Sequence, residues 1–329
     1  MRVIISFAVA FAAAALAGKV LIPVLRRLKA GQSIKEIGPT WHMSKQGTPT
    51  MGGLIFIIGI AVAMGALGWK DFTAGRFGGA FVFLFALVFG IIGYIDDYFK
   101  VKKKQNTGLT APQKFLLQLA ASIVFTVLMR NHGYLTHDLY IPFVNVSFNI
   151  PWPVYMVFAA FVMVGTVNAV NITDGIDGLA TGVTMPVSLF FLAVAFYWDR
   201  MELGVFAAAV FGGLCAFLIY NFHPAKVFMG DTGSLFLGGV VCGLAFALDI
   251  PLVLIPVGII YIAETLSDII QVGYFKLTHG KRIFRMAPLH HHLEMGGWSE
   301  VKLFCVFTGI TVVTCVLSFW GVMNRYLFS

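Results

Sequence analysis

Charge is what this chain has least of. Of its 329 residues only 12% are Asp, Glu, Lys or Arg, while 59% are apolar and mean hydropathy is +0.86. A water-exposed surface needs about a quarter of residues charged, so a soluble fold is excluded and most of the outer surface faces lipid. Cysteine is equally scarce. Cys215, Cys242, Cys305 and Cys315 all sit in apolar runs without C-x-x-C spacing, which argues against a disulfide framework or a thiolate metal site; they read as small core residues. Internal repeats, low-complexity tracts and linkers are lacking too, so residues 1–329 read as a single integral-membrane domain. A net charge of +8 would suggest nucleic acid in a soluble protein. Here no nucleic-acid partner is expected, because the cations first have to be assigned to sides of the bilayer.

What is abundant is apolar runs of about 20 residues, the length that crosses roughly 30 Å of hydrocarbon. Ten lie near 3–22, 51–69, 77–95, 114–131, 152–170, 179–198, 203–221, 234–249, 251–275 and 303–325. The expected fold is an all-α polytopic membrane protein with ten transmembrane helices. The first run ends in Ala15-Leu16-Ala17, which resembles a signal peptidase site. Cleavage there would send Arg26, Arg27 and Lys29 outward. Retaining it with the amino end outside places 16 Lys and Arg in connections near 23–50, 96–114, 171–178, 222–233 and 276–302, against six on the other side (Arg2, Lys70, Arg76, Arg130, Arg200 and Arg325). That asymmetry favours an uncleaved first helix, both termini periplasmic and the five connections cytoplasmic. On the outer side, alternation from Leu139 to Ile150 around Val144-Asn145 suits a short β-hairpin.

The polar residues crowd the inner side. Asp96 and Asp97 are expected to end the third helix; Asn168, Asn171, Asp174 and Asp177 lie in NAVNITDGIDGL; Asn221, His223 and Asp231 lie in NFHPAKVFMGDTGS. Adjacent carboxylates repel, so either one stays protonated or a cation is recruited. With Asp231 as a third acid and no thiolate, a hard cation such as Mg²⁺ is the natural partner; the plain alternative is a solvated helix end flanked by Lys100, Lys102, Lys103 and Lys104. GDTGS leads into a helix whose free N–H groups favour phosphate, or are simply capped by Thr232 or Ser234. NITDGIDG either presents carboxylates to a polar ligand or is a tight interhelical turn. His290, His291 and His292 cannot share a direction on a helix, since neighbours differ by about 100°, so phosphate contacts are favoured over zinc. Lys281 to Arg285, which includes Arg282, suits an anionic headgroup or is ordinary inner-side charge. Glu264, Asp268 and Gln271 share one helix face and must point into the bundle.

Taken together, KQGTPTMGG at 45–53, DDYFK at 96–100, NITDGIDGLA at 171–180, NFHPAKVFMGDTGS at 221–234 and GKRIFRMAPLHHHLE at 280–294 resemble the phospho-N-acetylmuramoyl-pentapeptide transferase family, within the polyprenyl-phosphate sugar-1-phosphate transferases. The match covers about 250 residues in order, with isoleucine at Ile172 and Ile176 where leucine is common. The resemblance implies Mg²⁺-dependent transfer of phospho-MurNAc-pentapeptide from UDP-MurNAc-pentapeptide to undecaprenyl phosphate, in the bacterial inner membrane with the active site on its cytoplasmic face. It further implies Asp231, Asp96 and Asp97 as metal or proton-handling acids and His290, His291 and His292 as phosphate-side residues. Lys45, Asn171, Asp174, Asp177, Asn221, Phe228, Gln271 and Arg282 fall with the nucleotide end or the nearby cleft; Phe228 offers a stacking face or helix-end packing. A homodimer is compatible with the sequence. The competing readings are a UDP-N-acetylglucosamine transferase with the same acids, and a proton-coupled transporter using Glu264 and Asp268.

Overall fold

With no water in hydrocarbon to satisfy backbone N–H and C=O groups, apolar runs of this length must fold as helices. In the computed structural model, which describes residues 1–28, 45, 47–103 and 107–325, they do. Helix α1 (Arg2–Arg27) is followed by α2 (Gly53–Ala63), a π-helical turn (Met64–Gly68) and α3 (Trp69–Thr73), which together form one span. Next come α4 (Gly78–Lys103), α5 (Ala111–Asn131), strands β1 (Asp138–Ile141) and β2 (Val146–Asn149), α6 (Trp152–Thr173), α7 (Leu179–Tyr197), α8 (Met201–Asn221) and α9 (Gly230–Ala247). A 3-10 turn (Pro251–Val253), α10 (Leu254–Val257), α11 (Ile259–Leu277), α12 (Leu289–Glu294) and α13 (Glu300–Val322) complete the chain. Among the described residues nine helices are long and apolar enough to cross a membrane, or ten with the bent pair Pro251–Val257 and Ile259–Leu277 counted as one span. The chain is a polytopic helical membrane protein. Most of the expected first inner connection, 23–50, lies outside the described residues.

Helix α9 is the axis of the bundle. Its apolar window is 89% buried, against 22% for α1, and it packs on α2, α4 and α6. Glycines make this possible: a Cβ on Gly53 would sit 2.3 Å from the Cα of Gly233, so α2 and α9 meet backbone to backbone. Small residues at such contacts are how membrane helices gain close packing without a hydrophobic drive between them.

Two expectations need correction. Asp96 and Asp97 do not end their helix, because α4 runs on to Lys103; Asp96 and Lys100 thereby stand one turn apart and pair at 2.6 Å. The run at 251–275 is not one straight helix but breaks by 80° at Gly258, where a Cβ would lie 2.5 Å from the Leu254 carbonyl oxygen. The hairpin is present, with Asp138 opposite Asn149 and Ile141 opposite Val146. Its turn is pinned to α13 by Phe143 N–H donating to the Gly321 carbonyl at 2.9 Å. Beside it Thr136 N–H and hydroxyl donate to Asp249 at 3.2 and 2.7 Å, and Arg325 pairs with the same carboxylate.

Candidate active site

The acids of three distant segments converge where α4, α5, α6 and α9 meet. A Cβ on Gly93 would lie 2.1 Å from the Asp231 carbonyl oxygen, so α4 reaches the first turn of α9 only because residue 93 has no side chain. One turn on, Asp97 caps α9. Its Oδ2 accepts from the Thr232 N–H at 2.9 Å and hydroxyl at 2.7 Å, and its Oδ1 accepts from the Asp231 N–H at 3.2 Å. These are N–H groups that a helix start leaves unpaired. Gly230 makes the turn at φ 69°. Asp231 accepts from Lys100 at 3.0 Å, Lys114 at 2.8 Å and the Asn171 amide at 2.9 Å. Asp96 accepts from the Leu109 N–H at 2.7 Å.

One carboxylate oxygen from each of Asp96, Asp97 and Asp231 lies within 4.8 Å of the other two. The donors are all hard oxygens, so the set fits a hard divalent cation, which would share Asp96 and Asp231 with the ammonium groups of Lys100 and Lys114.

A second cluster stands beside a cavity of about 610 Å³ lined by Lys45, Asp177, His223, Glu294, Trp298 and Glu300. Lys45 donates to Asp177 at 2.7 Å and Glu300 at 2.6 Å. Asp177 also takes His223 Nδ1 at 3.0 Å and the Ala225 N–H at 2.9 Å. Asp174 is within electrostatic reach of acids from both clusters. Burial, followed by the charges of Asp231, Asp97 and Asp177, pushes its carboxyl well above the ordinary range.

The three histidines diverge. His290 is wholly buried, with Nδ1 on Glu264 at 2.8 Å; His291 Nδ1 meets Glu294 at 2.7 Å; His292 Nδ1 accepts from the Arg285 N–H at 3.1 Å. Gln271 spends its amide on the backbone of Ile283 and Phe284. Asn221, also buried, accepts from the Thr181 hydroxyl and donates to the Val227 carbonyl. Phe228 is half-buried, and its backbone pairs with Pro49 and Gly52, tying the 45–53 segment to the start of α9. Arg282 is exposed beside the Phe275 ring, 6.0 Å from its centroid.

Residues 80–249 match the family described as glycosyl transferase family 4, and residues 45–57 match the phospho-N-acetylmuramoyl-pentapeptide-transferase signature 1. A protein of that name from Clostridium acetobutylicum is 47% identical over 319 residues, covering 96% of this chain and 98% of the relative. Another from Clostridium novyi is 45% identical, covering 99% and 98%, and one from Listeria monocytogenes is 43% identical, covering 95% and 96%. The chain belongs to the phospho-N-acetylmuramoyl-pentapeptide-transferase family. It is a transferase.

In this member of the transferase family Asp96, Asp97 and Asp231 meet in one cluster, Asp177 stands in a second and Glu264 pairs with His290, and several of the residues that hold them are not singled out by the sequence. Lys114 carried no signal beyond being one of many inner-side lysines, and Lys100 read as flanking charge. Glu300 and His223 complete the Asp177 cluster, yet Glu300 looks like an ordinary first-turn acid of α13. Ser299, not Glu300, caps that helix, accepting from the Lys302 N–H at 3.2 Å.

Proposed function

We propose that the chain transfers phospho-MurNAc-pentapeptide from UDP-MurNAc-pentapeptide to undecaprenyl phosphate, forming lipid I and releasing UMP for peptidoglycan synthesis. The observation that carries the reading is the meeting of Asp96, Asp97 and Asp231 with Lys100, Lys114 and Asn171 at one end of the bundle. The name borne by relatives alike over nearly their whole length supports the substrate. The charge asymmetry supports a cytoplasmic active site in the inner membrane, periplasmic termini and one membrane domain whose inner connections form the site.

Both reactants are anions and repel without compensating charge. The lysines neutralise part of that charge, while the Asn171 amide, spent on Asp231 and Ser234, and the Asp97-capped start of α9 fix Asp231 in place. Mg²⁺, held by Asp231 with Asp96 and Asp97, would polarise the diphosphate and stabilise the departing UMP. Asp97 keeps the first turn of α9 in place, so Asp231 is presented by a rigid element. A phosphomonoester has its second pKa near 6, so charge neutralisation and alignment outweigh general-base help in this direct displacement. The 610 Å³ cavity, with Lys45 in its wall, is the side on which the nucleotide end fits; Phe228, the expected stacking face, is not among its lining residues.

The test is transfer by membranes containing the full chain, supplied with radiolabelled UDP-MurNAc-pentapeptide or UDP-N-acetylglucosamine, undecaprenyl phosphate, and Mg²⁺ or chelator. Labelled lipid from the muramyl substrate alone, lost on chelation, is the expected result. Lipid formed only from UDP-N-acetylglucosamine would replace this reading with the related transferase.

A further inference from the structure

Glu264 is a carboxylate with no exposed surface, on a helix whose Leu266, Ile269 and Ile270 face outward. A buried charge needs a partner, and among the described residues His290 is the one it has. Glu264 Oε2 accepts from His290 Nδ1 at 2.8 Å, and both carboxylate oxygens accept from the His290 backbone N–H, at 3.2 and 3.3 Å. His290 is itself wholly buried. To meet an ionised carboxylate, Nδ1 must carry its hydrogen, which leaves Nε2 as the ring atom open to other chemistry. That nitrogen is buried and has no hydrogen-bond partner among the described residues.

The neighbour in front of Nε2 is Gly175. A Cβ there would lie 2.1 Å from Nε2, so only glycine lets the ring stand where it does. Gly175 is exposed and follows Asp174, which is close enough to Asp97, Asp177 and Asp231 to feel their charges. Nε2 therefore lies against the backbone at Gly175, the residue that follows Asp174. Asp268, one turn along α11, and His291, whose ring centroid is 4.2 Å from that of His290, are the other ionisable neighbours. Among the described residues Glu264 is the one hydrogen-bonded to the His290 ring.

We infer that Glu264 is a positioning residue for the transfer, holding His290 so that Nε2 receives the proton of the phosphate monoester acceptor. The inference rests on the transferase reading above. The O–H bond of the monoanionic lipid phosphate breaks and an Nε2–H bond forms; the phosphate becomes a dianion and the imidazolium is balanced by Glu264. That N–H then donates to a phosphate oxygen during attack, and the proton passes to the departing UMP phosphate. Among the acids of the cleft the second ionisation of a phosphate is disfavoured, which is where a held base matters.

The experiment compares wild type, Glu264→Gln, His290→Ala, the double variant and Gly175→Ala in membranes, with UDP-MurNAc-pentapeptide and undecaprenyl phosphate. Gln keeps an acceptor for Nδ1–H and removes only the charge. Glu264→Gln is expected to lower kcat about 100-fold and leave KM for the UDP substrate within about twofold. The double variant should be no slower than His290→Ala, because Glu264 acts through that ring. Gly175→Ala, whose Cβ would meet the ring at 2.1 Å, should also lower kcat by displacing the ring, and a Tm measured beside that of wild type shows that the fold is kept. Full kcat in Glu264→Gln, losses that multiply in the double variant, or an unaffected Gly175→Ala overturns the inference. Absence of lipid product from wild type overturns the transferase reading first, and this one with it.

Discussion

Replacing Asp231 with Asn tests the centre of the site through two independent readouts. The carboxylate accepts from two ammonium groups and one amide, at 3.0, 2.8 and 2.9 Å, and its side chain is 17% exposed. Removing one partner of a fully buried ion pair costs about 3–5 kcal/mol. Here the site is partly wet and Lys100 keeps Asp96 at 2.6 Å, so the loss should be about 2–3 kcal/mol. For a chain of this size that lowers Tm by about 3–4 °C, leaving a folded protein at assay temperature. Turnover should fall far more, by at least about 100-fold, since a lost metal ligand and its field act on the transition state itself. The second readout is linkage. In wild type, Mg²⁺ at about 100 times its Kd adds about 2.7 kcal/mol of stability; in Asp231→Asn that Mg²⁺-dependent rise in Tm should shrink to near nothing. Detergent-solubilised protein is melted with and without Mg²⁺, and transfer is measured in parallel. Unchanged turnover at saturating Mg²⁺, or an undiminished Mg²⁺-dependent Tm shift, refutes the role.

In a background freed of Cys215, Cys242, Cys305 and Cys315, cysteines at Lys103 and His291 should react with an impermeant thiol reagent only from the cytoplasmic side, and one at Asp138 only from outside; labelling of both groups from one side sinks the orientation. Direct attack requires that no UMP be released until lipid phosphate is present, so a stoichiometric burst of UMP from the UDP substrate alone, with label retained on the protein, would favour an aspartyl nucleophile. Asp174, whose carboxyl is raised by burial and by Asp231, Asp97 and Asp177, binds its proton more tightly folded than unfolded. Its contribution is therefore present below the ordinary aspartate range and lost as pH rises toward the raised value. Asp174→Asn should consequently melt higher than wild type at neutral pH without metal, the gap closing in acid; equal melting at both pH values would show that Asp174 is not held protonated.

How far the sequence reaches is best judged from the residues that were hard to read. Spans, hairpin and acids are local signals: run length, alternation, and a charge where charge is costly. The site is different, because its decisive bonds join residues far apart in the chain. Lys114 is 117 positions from Asp231, and Lys45 is 255 from Glu300. A lysine near the inner face satisfies the orientation rule whether or not it also holds a carboxylate, so composition cannot distinguish the two uses. The glycines show the same limit from the other side. Gly93, Gly175 and Gly53 carry no chemistry, and each is legible only once the backbone or ring that approaches it is known. The bend at Gly258 likewise follows from packing at the turn, since the run 251–275 is apolar enough to continue. What a sequence can announce is where polar atoms are expensive, and the expense at Glu264 is the instance that leads furthest. As one member of a polar helix face it signals only that the face turns inward; with His290 against it and Gly175 in front, the same carboxylate acquires a direction, and through Nε2 a task.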